Sequence, residues 1–308
     1  MSLPRNTLTA RSVLLSVLLG TDPPRLPVQV LVRTTELFGI AEGTTRTALS
    51  RMATAGEVVA DDGSYALAGR LLARQARQTA SRAAHTSPRW DGGWTQAVVG
   101  SHGRRRAASD RAAVRSALTG ARLAELREGV WLRPDNLGEH PDADADADAD
   151  GDADGDPGTP GGPGSAGAPG SREGAGAPDG PEGAGAPGGR EGAGGPGGDE
   201  VQWFRTFPAE DALELAGRLW DLDGWAARAS ELQADMAQLV EPLEAGDHRS
   251  LRDGFVLSAD VLRHFQLDPL LPVELLPAQW PGDALRRHYD RYDAAYRRLL
   301  GRWLRGHA

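Results

Sequence analysis

Residues 142–156 read DADADADADGDADGD, and the chain then continues to residue 199 in Gly, Pro, Ala and Glu. Imperfect copies of EGAGAP begin at Glu173, Glu182 and, as EGAGGP, Glu191. After Leu137 the stretch has no aromatic and almost no large aliphatic side chain. It buries too little apolar surface to offset its chain entropy, so residues 137–199 are expected to be disordered. Every folded element must then come from the two sides of this insertion. Alternating Asp residues also suggest calcium, but no Gly-punctuated twelve-residue loop ending in Glu is present. The segment reads as a solvated acidic tether.

The flanking patterns decide whether the tether separates two domains or interrupts one. WDGGWTQAVVG (residues 90–100) reads as a strand, SDRAAVRSALTGARLAEL (109–126) as a helix and EGVWLRPDNL (128–137) as a second strand. Beyond the tether, VQWFRTF (201–207) alternates like a third strand, and PAEDALELAGRLWDLDGW (208–225) is an amphipathic helix. Strand, helix, strand, then strand, helix is most of a ferredoxin-like α/β domain. The tether then lies in a hairpin loop, where its length costs only about 2 kcal/mol of extra closure entropy. Deleting residues 139–199 is expected to leave folding and DNA binding nearly intact.

The formal net charge of −9 misleads until it is divided. Residues 1–136 carry 19 Arg against 11 acids, residues 137–200 carry 2 against 15, and residues 201–308 carry 13 against 17. The N-terminal part is basic, and most of the acidity belongs to the tether. All 34 basic residues are Arg. No Cys is present, which excludes disulfides, thiol catalysis and Cys-based zinc sites and fits a reducing cytoplasm. SVLLSVLLG (12–20) is too short to span a membrane and lacks a cleavage pattern, so it reads as a core helix.

That helix is expected over residues 9–19, stopped by Gly20. A second starts at Pro27, buries Val28, Leu31, Val32, Thr35 and Phe38, and ends at Gly39. A third covers residues 42–55, with Thr45, Ala48, Leu49 and Met52 inward. Thr44, Arg46, Thr47, Ser50, Arg51 and Thr54 face outward. EVVA-DDG-SYALA then forms a hairpin turned at Asp62-Gly63. Three helices and a hairpin make a winged helix-turn-helix, whose third helix enters a groove about 12 Å wide. Arg46, Thr47, Ser50 and Arg51 are the candidate base readers. Thr44, Gly63 and Ser64 are the candidate backbone contacts. A solvated polar face, or a surface for protein contacts, is the alternative. A further helix over residues 68–84 puts Arg70, Arg74 and Arg77 on one face, as a connector or as added phosphate contacts.

The C-terminal third reads as helices over residues 227–243, 257–267 (Ser258 as N-cap) and 282–304. The last carries a stripe of Leu285, Tyr289, Tyr292, Tyr296, Leu299, Leu300 and Trp303. Trp280 reads as a packed anchor for the Pro-rich loop before it.

Four stretches, in order, resemble the PaaX-type family of transcriptional regulators, the phenylacetate-degradation repressors. They are FGIAEGTTRTALSRMATAGEV, WDGGWTQAVV, LWDLDGW and, most specific, LDPLLPVELLPAQWPGDAL (267–285). The tether departs from the family pattern. The resemblance implies an α+β chain with a winged helix-turn-helix over 1–84 and a ferredoxin-like domain over 85–136 plus 200–226. The tether follows over 137–199, and a helical domain over 227–308. It also implies a cytoplasmic homodimer, without cofactor or metal, that represses a catabolic operon from double-stranded operator DNA. A small acyl-CoA-type effector, phenylacetyl-CoA in the namesake branch, releases it. An effector pocket is expected between the central and C-terminal domains.

The central domain is also similar in fold to a small CRISPR-associated nuclease that uses an Asp at the end of its first strand. Here that strand runs into Gly100 and Ser101. A nuclease built on the ferredoxin-like domain, or a protein-interaction adaptor, are the other readings. The seven His residues have no metal-site spacing, and no Walker, GxSxG or GxGxxG context is present. The basic run SHGRRR (101–106) reads as a solvated loop, a DNA-phosphate contact or an anchor for effector phosphates.

Overall fold

The computed structural model describes residues 8–83, 89–100, 108–137 and 201–306. The acidic tether and the SHGRRR run lie outside the described residues. The described chain mixes an N-terminal helical region, two small sheets and C-terminal helices.

The N-terminal region opens with α1 (Ala10–Leu19), whose start is capped by the Thr9 hydroxyl accepting from the Ser12 amide at 3.1 Å. There follow β1 (Arg25–Pro27), α2 (Val28–Glu36), α3 (Glu42–Thr54), β2 (Val58–Asp61), β3 (Ser64–Leu67) and α4 (Arg70–Ala83). The strands pair in the order β1-β3-β2. β1 is an addition to the sequence reading, which started a helix at Pro27; Pro27 instead ends a strand facing Ser64. Leu14, Leu18, Leu31, Leu49 and Met52 meet in one buried cluster, as the helical periodicities demand.

The second sheet contains β4 (Trp94–Val99), then β5 (Ala124–Arg127) and β6 (Val130–Pro134) after α5 (Ala108–Gly120), and finally β7 (Val201–Thr206). Its order is β5-β6-β4-β7, antiparallel throughout. Two expectations are corrected here. The helix expected over 109–126 stops at Gly120, and its last residues form strand β5. Arg122 turns the chain in the left-handed region at φ 68°, which breaks the helix where apolar spacing alone suggested continuity. The tether, moreover, is not in a hairpin loop. β6 and β7 both pair with β4, on its two sides, so they run parallel and their connection is a crossover. α5 covers one face through Ala97, Leu118 and Trp131, and α6 (Ala212–Leu219) covers the other through Trp94, Leu132 and Leu215.

The remaining elements are α7 (Leu222–Ala245), α8 (Ser250–Gln266), a 3₁₀ turn (Val273–Leu275) and α9 (Gly282–Gly306). The boundary expected between residues 225 and 227 falls instead at Asp221, whose carboxylate accepts from the Gly224 amide at 2.9 Å and starts a new helix. Ser258, expected as an N-cap, lies inside α8, which starts a full two turns earlier because Phe255 and Leu251 are also buried. α9 buries Leu285, Tyr289, Tyr292, Tyr296 and Leu299 against α7 and α8, as its stripe requires. Trp280 stacks on Trp225 with ring centres 4.5 Å apart. Among the described residues no helix is long and apolar enough to cross a membrane.

The end of α4, the central sheet and the C-terminal helices meet at a buried ionic cluster. Asp268 is 2% exposed and holds Arg286 at 2.9 Å. Arg286 also donates to the Ser81 and Arg82 carbonyls at the end of α4, at 3.0 and 3.2 Å, where a cation suits the helix dipole. Arg122 donates to the Ser81 hydroxyl at 2.6 Å. Burial pushes Arg122 down to about 10, with Asp268 opposing the shift and the neighbouring Arg286 adding to it.

Candidate nucleic-acid interface

The 3.6-residue period of α3 divides its side chains into two arcs. Thr45, Leu49 and Met52 are buried. Thr44, Arg46, Thr47, Ser50, Arg51 and Thr54 share the exposed arc. Several of these hydroxyls are occupied locally: Thr47 donates to the Gly43 carbonyl at 2.8 Å, and Thr54 to the Ser50 carbonyl at 3.0 Å. The two guanidinium groups differ. Arg46 is paired with Glu42 one turn earlier at 2.7 Å, with both side chains more than half exposed. The Arg51 guanidinium makes no hydrogen bond or ion pair among the described residues. Thr44, Thr47 and Arg51 also line a groove of about 830 Å³ shared with Thr9 and Arg11 at the start of α1.

The inner side of α3 is fixed to α2 by a buried hydroxyl contact, Thr35 to Thr45 at 2.6 Å, and Thr35 passes its own proton to the Val32 carbonyl at 2.7 Å. Thr45→Val keeps the shape and removes this tie. It should cost about 1 kcal/mol, read as a lower urea midpoint.

The far end of α3 is pinned by Glu57. Its carboxylate is 7% exposed and takes Arg11 of α1 at 2.6 Å and Arg70 of α4 at 3.3 Å. The Arg11 hydrogen bond, against the opposing cost of burial, holds the Glu57 carboxyl below its ordinary 4.5. A depressed folded-state value stabilises the fold above the unfolded-state pKa, and that contribution is lost as pH falls through the folded value. Glu57→Gln should therefore unfold at lower urea than the parent at pH 7, and the gap should narrow below about pH 4.5. Glu57 was invisible as a site residue in the sequence, where it reads only as the start of a strand.

The hairpin tip turns at Asp62 and Gly63, with φ of 43° and 69°, the two positive values of a tight primed turn. Gly63 is exposed, while Ser64 is half-buried and paired with Asp61 and Pro27. The Gly63 carbonyl accepts from the Val28 amide at 2.9 Å, and Arg25 bridges to Asp61 at 2.7 Å, so the tip is tied to the start of α2. Of the arginines expected on one face of α4, Arg70 belongs to the Glu57 pin, and Arg74 points to a different cavity.

A cavity of about 1080 Å³ lies between the end of α1, α4, α8 and α9. The end of α1 and α4 supply one of its walls, because α4 packs along α8. Among the described residues no group of three or more His, Cys, Asp or Glu is arranged to hold a metal ion.

Residues 9–71 match the family described as PaaX-like protein, and residues 220–305 match the PaaX-like protein C-terminal domain. No protein of curated function matches the chain. A solved structure, "Uncharacterized protein Rv0674 from Mycobacterium tuberculosis", is 34% identical, with 95% of this chain and 97% of that chain covered and a TM-score of 0.60.

Proposed function

Because the chain belongs to the PaaX-like family, whose members are generally transcriptional regulators, we propose that it is a repressor that grips double-stranded operator DNA with the exposed arc of α3. In this reading α1–α3 with the β2–β3 hairpin are a winged helix-turn-helix. α3 is the recognition helix, and Gly63 and Ser64 lie on the wing. The observation that carries the reading is the arc itself: short hydroxyl side chains that fit a major groove, flanked by Arg51 with no partner to give up. The excess of Arg over acids in residues 1–136 supplies the matching field for phosphates.

The central sheet is read as ferredoxin-like. Its antiparallel order, with β4 between β6 and β7, favours that reading, although α6 follows the last strand. The regulated genes are read as a catabolic operon and the effector as an acyl-CoA, with a homodimer in the cytoplasm as the working form. An effector that binds the free protein better than the operator complex weakens DNA binding by that difference, typically about 1–3 kcal/mol.

The test is fluorescence anisotropy of DNA from the protein's own promoter, against unrelated competitor, over a salt series. Tight binding that weakens steeply with salt, and exceeds competitor, is expected. Arg51→Ala should cost about 1–3 kcal/mol if it makes a bidentate guanine contact. Arg46→Ala should cost less, since Arg46 must first leave Glu42. Glu42→Gln, which frees Arg46 and removes a negative charge, should tighten binding. No preference for any DNA, with wild-type-like binding by the Arg51 variant, would sink the reading and leave the adaptor. Magnesium-dependent cleavage of labelled DNA or RNA would replace it with the nuclease.

A further inference from the structure

α6 covers its face of the central sheet only in part. On that face the strand register sets side chains in rows. Leu132, Gln96 and Phe204 form one row, and Arg127, Val130, Val98 and Gln202 form the next. Arg127 reaches this face because a bulge after Glu125 brings it opposite Val130. Leu132 is buried under α6, but Phe204, on the edge strand β7, is 48% exposed. Gln202 and Arg127 are exposed as well. The core does not need this ring, since Trp94, Leu132 and Leu215 close it without Phe204.

The polar groups around the ring are uncommitted. The side-chain amides of Gln96 and Gln202 and the Arg127 guanidinium make no hydrogen bond or ion pair among the described residues. Neither row contains a carboxylate. Arg127 stands three strands from β7, about 16 Å from Phe204, which leaves room for a few nucleotides. A ring for stacking, amides for base edges and a guanidinium for phosphate are the groups with which a sheet holds a single strand. A second copy of the chain would need about 800 Å² from each partner around an apolar centre. One ring among amides is too small and too polar for that.

We propose that this face binds single-stranded nucleic acid, with a base stacked on Phe204, Gln96 and Gln202 at base edges, and a backbone phosphate at Arg127. The site lies on the central sheet and makes no use of α3, so it is independent of the operator reading.

The whole chain is titrated with fluorescein-labelled oligo-dT and, separately, oligo-U, each of about twelve nucleotides, over a salt series. The two arms tell DNA from RNA, and saturable binding of at least one is expected. Phe204→Leu keeps an apolar side chain and removes the ring. It should weaken binding about fivefold to a hundredfold, the worth of one stacked base, and Phe204→Trp should retain it. Arg127→Ala should reduce the slope of log affinity against log salt by about 0.7, one phosphate contact. Arg51→Ala should weaken binding of duplex operator and leave the single strand, and Phe204→Leu should do the reverse. Thermal melts check that the variants fold. Binding of neither strand overturns the proposal, and so does a Phe204→Leu titration that matches the parent. Single-strand binding lost with Arg51→Ala moves the strand to α3 and overturns it. Light scattering in which Phe204→Leu halves the mass gives the face to a second copy and overturns it too.

Discussion

Excising residues 139–199 should destroy the four-stranded sheet, seen as loss of the parent's cooperative thermal transition. The reason is geometric. β6 ends at Pro134 opposite Trp94, and β7 begins at Val201 opposite Val99. Five residues along β4 span about 17 Å, and two strand spacings add about 10 Å sideways, so the ends are about 20 Å apart. The excision joins Gly138 to Glu200. From Pro134 six Cα steps then reach Val201, about 20 Å at full extension. Asp135 and Asn136 are not free to lie on that straight path: the Asp135 amide donates to the Gly93 carbonyl at 2.9 Å and the Asn136 side chain donates to the Leu270 carbonyl at 2.8 Å. β7 therefore reaches its place beside β4 only if those ties are broken and the chain is drawn taut. A replacement linker of about 20 Gly and Ser residues has a coil span of about 25 Å and should restore the transition. A directly joined variant that melts like the parent would show that β7 is not held as described. The sequence-based expectation of a harmless deletion rested on a hairpin, and the crossover reverses it.

Asp268→Asn should cost about 3–5 kcal/mol, the usual cost of leaving buried charge without its partner. Asn keeps the shape and can still accept from the Leu270 amide, which now donates to the carboxylate at 3.0 Å. What it removes is the counter-charge for Arg286, and the negative charge that opposes the burial cost of Arg122. Against a typical domain stability of about 5–15 kcal/mol, that loss is large. Urea unfolding measures it. Arg122→Met added to Asp268→Asn should recover part of the loss, because one uncompensated cation is gone. A cost below about 1 kcal/mol for the single variant would mean that water reaches the cluster and screens it.

Much of the architecture is written in local signals. α1 through α3 follow from apolar periodicity stopped at Gly20, Gly39 and Gly56, and the hairpin follows from Asp62-Gly63. The exposed arc of α3 was legible for the same reason, since helical spacing alone separates Thr45 and Leu49 from Thr47 and Arg51. β5 was not legible because ARLAEL continues the leucine spacing of α5 in residues that favour helices; only the backbone of Arg122 breaks it. Asp221 was missed as a cap because the run around it is apolar enough to read as one helix end. The ionic cluster joins Ser81, Arg122, Asp268 and Arg286, which no local spacing relates. The Arg46–Glu42 pair was within reach, being one helical turn, but its effect on binding required knowing that Arg51 has no such neighbour.

The tie between the hairpin tip and the start of α2 has a consequence for selectivity. Strand pairing of β1 with β3, and the Gly63 carbonyl on the Val28 amide, make the tip and the helices one stiff calliper with a set opening. In the operator reading such a calliper does not adjust its reach to each duplex. The duplex must adjust instead, so sequences that bend or narrow at low energetic cost will be favoured even at base pairs no side chain touches.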